Sequence, residues 1–173
     1  MKILAEISEG SLGLGEYEQL GSQYELRKSA RAILLNPAGL MAIQHLSKYA
    51  FHKLPGGGVE TGETIEEALK REVLEEVGCE CNIVRSIGST VEYRNKYNLL
   101  HISYCYVAEV KGSIGEPALE DGEIEEGQET LWLSPQEVSE RMKTDEPKKF
   151  GGHFIRKREM SFLEEYLSTI LNA

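Results

Sequence analysis

Between Gly56 and Cys79 the chain reads GGGVETGETIEEALKREVLEEVGC, and no other segment restricts the fold so tightly. Thr64 followed three residues later by Glu67 is a capping-box pattern, and Gly78 is a residue on which a helix can end. The spacing therefore predicts a helix over residues 65–77. At about 100° per residue, Ile65, Leu69, Val73 and Val77 fall on one apolar stripe with Ala68 beside it, so this face must meet a core. Glu72 and Glu76 stand one turn apart, with Glu75 nearby, at the margin of that stripe; Glu66, Glu67 and Lys70 lie further round, on the solvated side. Carboxylates crowded at a core boundary cost free energy through desolvation and mutual repulsion, and so call for a cation. Arg71 satisfies one neighbour. A divalent ion satisfies several oxygens at once, and hard ions such as Mg²⁺ prefer carboxylate and carbonyl ligands. A helix laced with Glu–Lys and Glu–Arg pairs would show the same clustering, so the glutamates alone leave a metal site and a solvated helix both open.

The residues before the helix add to the first reading. Leu54-Pro55-Gly56-Gly57-Gly58 cannot continue an ordinary strand or helix. Consecutive glycines let the backbone turn tightly and approach a ligand, although the terminal Lys-Ser/Thr pair of a phosphate loop is absent. From Gly57 there are five residues to Glu63 and seven more to Arg71, followed by Glu72-Val73-Leu74-Glu75-Glu76-Val77-Gly78. This pattern, G-x5-E-x7-R-E-U-x-E-E-x-G-U with U a bulky aliphatic residue, resembles the Nudix box, and all its charged and glycine positions are matched. Only Cys79 departs, standing where an aliphatic residue is usual; cysteine is a small hydrophobe that can serve there.

The resemblance implies an α/β (α+β) fold, an α/β/α sandwich with a mixed β-sheet and a catalytic loop-helix-loop. It also implies metal-dependent hydrolysis of a nucleoside diphosphate linked to another group X, with Mg²⁺, or Mn²⁺, as cofactor. A phosphoanhydride is shielded by its own negative oxygens, so metal ions must neutralise charge, orient the diphosphate and generate hydroxide from water. Carried over position by position, the resemblance makes Glu72, Glu75 and Glu76 the metal-facing group, Glu76 foremost, with the Gly56 carbonyl as a further ligand. Arg71 orients the box glutamates by charge-assisted hydrogen bonds, and Glu63 supports the loop or helix start. For the general base, Glu72 stays open beside a later glutamate of EDGEIEEGQETLWL. That segment offers Glu123, Glu125, Glu126 and Glu129; Glu126 and Glu129, shortly before the strand with Trp132, are favoured, and Glu126 is also a candidate metal ligand. No box carboxylate is missing, which favours turnover over a binding module. A nucleoside triphosphate, normal or oxidised, is the leading substrate class, with ADP-ribose, a nucleotide sugar and a non-catalytic nucleotide-binding module as alternatives.

The rest of the chain is read from pattern and composition. Its 173 residues are 40% hydrophobic and 28% charged, as expected of a single domain over residues 1–173. The 29 acidic against 19 basic residues give a net charge of −10, which argues against an extended nucleic-acid grip. No apolar run is long enough for a membrane span, and Glu6 interrupts any signal-peptide region, so a cytoplasmic location is expected. Cys79, Cys81 and Cys105 lack paired CxxC spacing and read as reduced, structural residues. A strand near residues 2–7 and a Gly/Glu-rich connection over residues 10–21 come first. A hairpin follows, formed by ARAILLN and GLMAIQHL around Asn36-Pro37-Ala38-Gly39. After the helix, NIVRSIGSTVEYR and LLHISYCYVAEV read as strands, the second central. An acidic loop over residues 112–127, a TLWL strand, a short helix capped by Ser134 before Pro135 and a terminal helix near residues 156–171 complete the chain. Among its cations, His45, Lys53 and Arg94 are the substrate-binding candidates, with Lys96, Arg156 and Arg158 behind them. Tyr49, Phe51, Tyr93 and Tyr97 could stack on a base, whereas Tyr104, Tyr106 and Trp132 belong to the core. The N-terminal strand and terminal helix could also build a homodimer.

Overall fold

The run ELRKSARAILL forms strand β2 (Glu25–Leu35), and its two-residue alternation sets the layers of the molecule. Ala30, Ala32 and Leu34 point to one side, where they pack with Ala68, Leu69, Val73 and Val77 of helix α1 (Ile65–Val77). Ile33 points to the other, into a second core built with Val138, Met142, Phe162 and Leu163. The small alanines let α1 sit close to the sheet, and each large apolar side chain buried there contributes on the order of 1.5–3 kcal/mol. The computed structural model describes residues 1–19, 21 and 23–171; within the predicted 10–21 connection, Leu20 lies outside the described residues.

The remaining elements are β1 (Ile3–Ser8), β3 (Met41–Leu46), β4 (Phe51–Lys53), β5 (Glu80–Arg94), β6 (Leu99–Lys111), α2 (Asp121–Glu125), β7 (Gln128–Leu133), α3 (Pro135–Thr144) and α4 (Phe150–Leu171). The strands run β1-β5-β6-β2-β3-β4, with β7 also on β3. The sheet is mixed: β1 with β5 and β2 with β6 are parallel, the other pairs antiparallel. With α1 on one face and α3 and α4 on the other, the architecture is the expected mixed α/β/α sandwich, and β6 lies inside the sheet as the pattern predicts.

One irregularity positions the site. β2 and β3 pair only at Leu35 and Met41, beside the turn in which the Asn36 side chain accepts from the Ala38 and Leu40 amides at 3.0 Å each. Beyond that point the strands part, and the glycine-rich loop takes the open edge of β2. Ala32 N donates to Pro55 O at 2.9 Å, Ala30 N to Gly57 O at 3.0 Å and Val59 N to Lys28 O at 3.0 Å. A three-stranded ribbon of β4, β3 and β7 therefore splays away from the rest of the sheet, leaving a split.

Helix α1 has the predicted bounds, with the Thr64–Glu67 capping box formed and Gly78 left-handed at φ 75°. Cys79 is buried in the core beside α1, in the role expected of an aliphatic residue. Two segments differ from the sequence reading. The acidic stretch over residues 112–127 contains the short helix α2, and the terminal helix begins at Phe150 rather than near residue 156. Gly151 and Gly152 are poor helix formers, but a side chain at Gly152 would meet Pro147 at 2.6 Å and Phe51 at 3.2 Å, so packing requires glycine there. Among the described residues no helix is long and apolar enough to cross a membrane.

Candidate active site

The split between β2 and the ribbon opens into a cleft of about 220 Å³. Gly56, Gly57 and Gly58 form its floor; Arg27 and Arg31 of β2 and Lys53 of β4 supply cations; Glu72, Glu75 and Glu76 of α1 face them. Glu120 and Glu123 enter from the α2 segment. A wider, shallower hollow of about 510 Å³ lies on the outer side of the loop, lined in part by Leu26, Val59 and Ile65, but the clustered charge is in the smaller cleft.

Glu76 is the anchor. It is 1% exposed, its carboxylate accepts from Lys53 Nζ at 2.8 Å, from the Gly56 amide at 2.5 Å and from Gln128 Nε2 at 3.2 Å. Burial works to raise its pKa, yet Lys53, the Gly56 amide and Arg31 together hold the carboxyl below its ordinary value. Even its backbone is fixed: the Glu76 carbonyl accepts from Thr130 Oγ1 at 3.2 Å and Gln44 Nε2 at 3.4 Å, which ties α1 to β3 and β7.

Arg71 organises the outer half of the cluster. Its guanidinium donates to both Glu63 oxygens at 2.8 and 3.1 Å, to Glu72 at 2.9 Å, to Glu75 at 3.1 Å and to the Gly58 carbonyl at 2.9 Å. These bonds lock loop and helix together and raise the Arg71 pKa, Glu63 contributing most. Gly56 is sterically required, and Gly57 leaves room for the Glu72 carboxylate. Gly56 has φ 127°, with the Ala30 carbonyl 2.2 Å from where a side chain would begin. At Gly57 the same position meets the Glu72 carboxylate at 2.3 Å.

The cluster is short of positive charge. Burial, opposed by Arg71 and reinforced by Glu76, raises the Glu72 pKa. Glu123 is pushed up to about 7, chiefly by burial and by the proximity of Glu76. Among the described residues no three acidic, histidine or cysteine side chains converge into a metal-holding group; Lys53 and Arg71 take up the carboxylates instead. The donors nevertheless suit a hard divalent ion in kind, being carboxylates joined by the carbonyl of buried Gly56, which accepts no hydrogen bond among the described residues.

The structure gathers Gly56, Lys53, Arg71, Glu72, Glu75 and Glu76 around this cleft and sends other candidates elsewhere. Glu126 pairs with Lys149 at 3.1 Å, outside the cleft lining, and Glu129 pairs with His45 at 3.1 Å on the exposed side of the ribbon. Both belong to a segment whose short helix turns Glu120 and Glu123 inward, a choice that linear distance from Trp132 does not reveal. Arg94 is engaged with Glu92 at 2.6 Å and lies over the Phe154 ring at 4.8 Å. Arg156 caps the end of α3 through the Met142 and Lys143 carbonyls, at 2.9 and 2.6 Å. Phe51 is 1% exposed and belongs to the core, while Tyr106 and Trp132 pack partly buried beside α1. Arg27, Arg31 and Gln128 are cleft or anchor residues that pattern reading misses, the one signal being a charge at Arg31 inside an otherwise apolar run.

Behind the cleft, under α4, lies a second ionic cluster. Arg158, fully buried, donates to Glu92 at 3.0 Å and to Glu159 at 2.6 and 3.0 Å. Arg31 reaches the same Glu159 oxygen at 3.4 Å. His101 donates or accepts with Ser29 Oγ at 3.0 Å and stands 3.6 Å from Glu92. Its pKa is lowered to about 4, first by burial and then by Arg158, against the pull of Glu92.

Comparison with known proteins places this geometry. The NUDIX domain model matches residues 25–154. A nudix hydrolase of Caenorhabditis elegans is 38% identical over 84 residues, covering 45% of this chain and 22% of that protein. The RNA pyrophosphohydrolase of Baumannia cicadellinicola is 34% identical over 80 residues, 46% of this chain and 50% of that one. The chain thus spans at most half the length of these two curated relatives. Among solved structures, a NUDIX hydrolase from Nitrosomonas europaea aligns with a TM-score of 0.63 at 17% identity, over 84% of this chain and 90% of that one, a likeness of fold.

Proposed function

Since the chain belongs to the NUDIX domain family, whose model covers residues 25–154, we propose that it hydrolyses a phosphoanhydride bond in a nucleoside diphosphate linked to another group, a nucleoside triphosphate being the leading substrate. The observation that carries this reading is the pairing of cleft walls: Glu72, Glu75 and Glu76 on one side, Arg27, Arg31 and Lys53 on the other. Carboxylates facing cations across a small space suit a diphosphate held between a metal ion and basic side chains.

Bound at the carboxylates, Mg²⁺ or Mn²⁺ would neutralise the diphosphate and lower the pKa of water. Glu76, with Glu72, Glu75 and the Gly56 carbonyl, would hold it. Arg71 keeps Glu72 and Glu75 in place while Glu63 and Gly58 fix Arg71 itself. Lys53 balances Glu76 and presents an ammonium to the cleft. For the proton acceptor we choose Glu123 over Glu126 and Glu129, because Glu123 is the one of the three that lines the cleft; Glu72 is the alternative. The Baumannia relative bears a name that describes a pyrophosphate bond on RNA, but the net charge of −10 favours a small nucleotide.

The test is release of nucleotide and phosphate or pyrophosphate from a panel of normal and oxidised triphosphates, ADP-ribose, nucleotide sugars and triphosphate-ended RNA, with Mg²⁺, Mn²⁺ or chelator. One class turned over well ahead of the others, and only with metal, supports the proposal. Nucleotide binding without turnover anywhere on the panel would replace it with a binding role.

A further inference from the structure

We infer that Arg31 is the anion-docking residue of the cleft, receiving a phosphate oxygen pair of the substrate. The identity of the anion as a substrate phosphate rests on the hydrolytic reading; the docking property itself does not.

Arg31 interrupts an apolar strand. Its neighbours Ala30, Ala32, Ile33 and Leu34 are completely buried, and its own side chain is only 9% exposed. A guanidinium held so far from bulk water should have its five N–H donors matched. Arg158, on the other side of Glu159, meets this requirement: two carboxylates receive it at 2.6 to 3.0 Å. Arg31 does not meet it. Its closest acid contact is Nε to Glu159 at 3.4 Å, which fails as a hydrogen bond, and its other contact is Nη1 to the Ala30 carbonyl at 3.5 Å. The Glu159 oxygen involved is already taken by Arg158 at 2.6 Å.

The cleft explains the deficit. Arg31 lines it opposite Glu72 and Glu76, beside Lys53. Lys53 is committed to Glu76 at 2.8 Å, so Arg31 is the buried cation of that wall with donors to spare. A planar fork of N–H groups matches two oxygens of a tetrahedral phosphate, which a lysine in the same place would not.

Inorganic pyrophosphate is the probe, titrated calorimetrically into the whole chain in the presence of Mg²⁺. Arg31→Gln is expected to weaken its binding by about tenfold or more, the loss of a charge-assisted bidentate contact. Arg31→Lys, which keeps the charge and loses the fork, should fall between the two. Arg85→Gln removes the same charge from a residue that bonds Thr169 outside the cleft and should change affinity by less than about twofold. Equal affinity in Arg31→Gln and the unaltered protein overturns the inference, as does a complete failure of the unaltered protein to bind pyrophosphate. If Arg31→Gln does not fold, the unaltered protein still decides. The Nε–H resonance of Arg31, assigned through its own side chain, must move on addition of pyrophosphate, and a stationary resonance overturns the assignment. Neither measurement reads turnover, so an inactive protein that docks pyrophosphate through Arg31 would remove the hydrolytic proposal and leave this one standing.

Discussion

Two ionic clusters, separated by little more than strand β2, solve opposite problems. The one on α1 is partly open: Arg71 is 26% and Glu75 40% exposed, and its carboxylates outnumber the cations beside them. The one under α4 is sealed, with Arg158, Glu92 and Glu159 at 0%, and its two carboxylates are met by Arg158 together with Arg94 and Arg31. An open cluster can leave charge unbalanced because solvent or a ligand supplies the remainder. A sealed one must balance internally, since an uncompensated charge away from water costs several kcal/mol. The difference separates a site that binds from a frame that holds, and Arg31 belongs to both.

The contrast can be broken from either side. The largest effect should come from Arg158→Met, which among the described residues leaves Glu159 with only the long contact to Arg31, and Glu92 with Arg94 and His101. Stability should fall by about 3–5 kcal/mol, a drop in Tm on the order of 10 °C by thermal melting. A near-normal Tm would mean that the sealed cluster is not the frame described. Next comes Glu76→Gln, which keeps size, removes the charge and turns one of the two accepting oxygens into an amide donor. Metal-dependent kcat/KM should fall by about 100-fold, about 2.7 kcal/mol, and Tm should fall as well, by less than in Arg158→Met, because Lys53 loses its partner while staying nearer solvent. Full activity in this variant would remove Glu76 from the site.

A smaller effect is expected from pH. His101 faces Glu92 and Arg94 of β5, Ser29 of β2 and Arg158 of α4. Its folded pKa of about 4 lies below the unfolded value of 6.5, so the unfolded chain binds the proton first as pH falls. The stabilisation is fully present above pH 6.5 and is lost between there and pH 4, by up to about 1.4 kcal/mol per pH unit for this one group. Glu92, also held below its usual range against burial by Arg158, extends the loss to lower pH. Denaturant titrations at pH 7 and pH 5 check the sign; His101→Asn should flatten the difference. The smallest effect is reserved for Glu126→Gln. Its partner Lys149 is 50% exposed, so stability should change by less than about 1 kcal/mol and turnover by less than about twofold. A hundredfold loss of turnover there would transfer the acid–base role back from Glu123.

The helix on residues 65–77 was legible because everything that makes it is local. A cap, a 3.6-residue period and a terminal glycine lie within one short stretch, and the same periodicity places Glu72 and Glu76 at the core margin before any neighbour is known. The hairpin turn at residues 36–39 and the Ser134 cap were readable for the same reason. In the acidic segment, by contrast, glutamates crowd a short stretch in which composition distinguishes none of them. Which one enters the cleft depends on how the brief α2 helix is rotated against β7.

Sequence by itself thus determined the capped helix, its glutamate register and the family to which the chain belongs, since short-range sterics and hydrogen bonding act between residues already adjacent. Tertiary structure alone decided that the glycine loop replaces a strand beside β2, that Glu123 rather than Glu126 faces inward, and that Arg31, Glu92, Arg94, Arg158 and Glu159 meet. Each of these depends on contacts between elements far apart in the chain, where burial and charge balance are properties of the assembled neighbourhood and of no single segment.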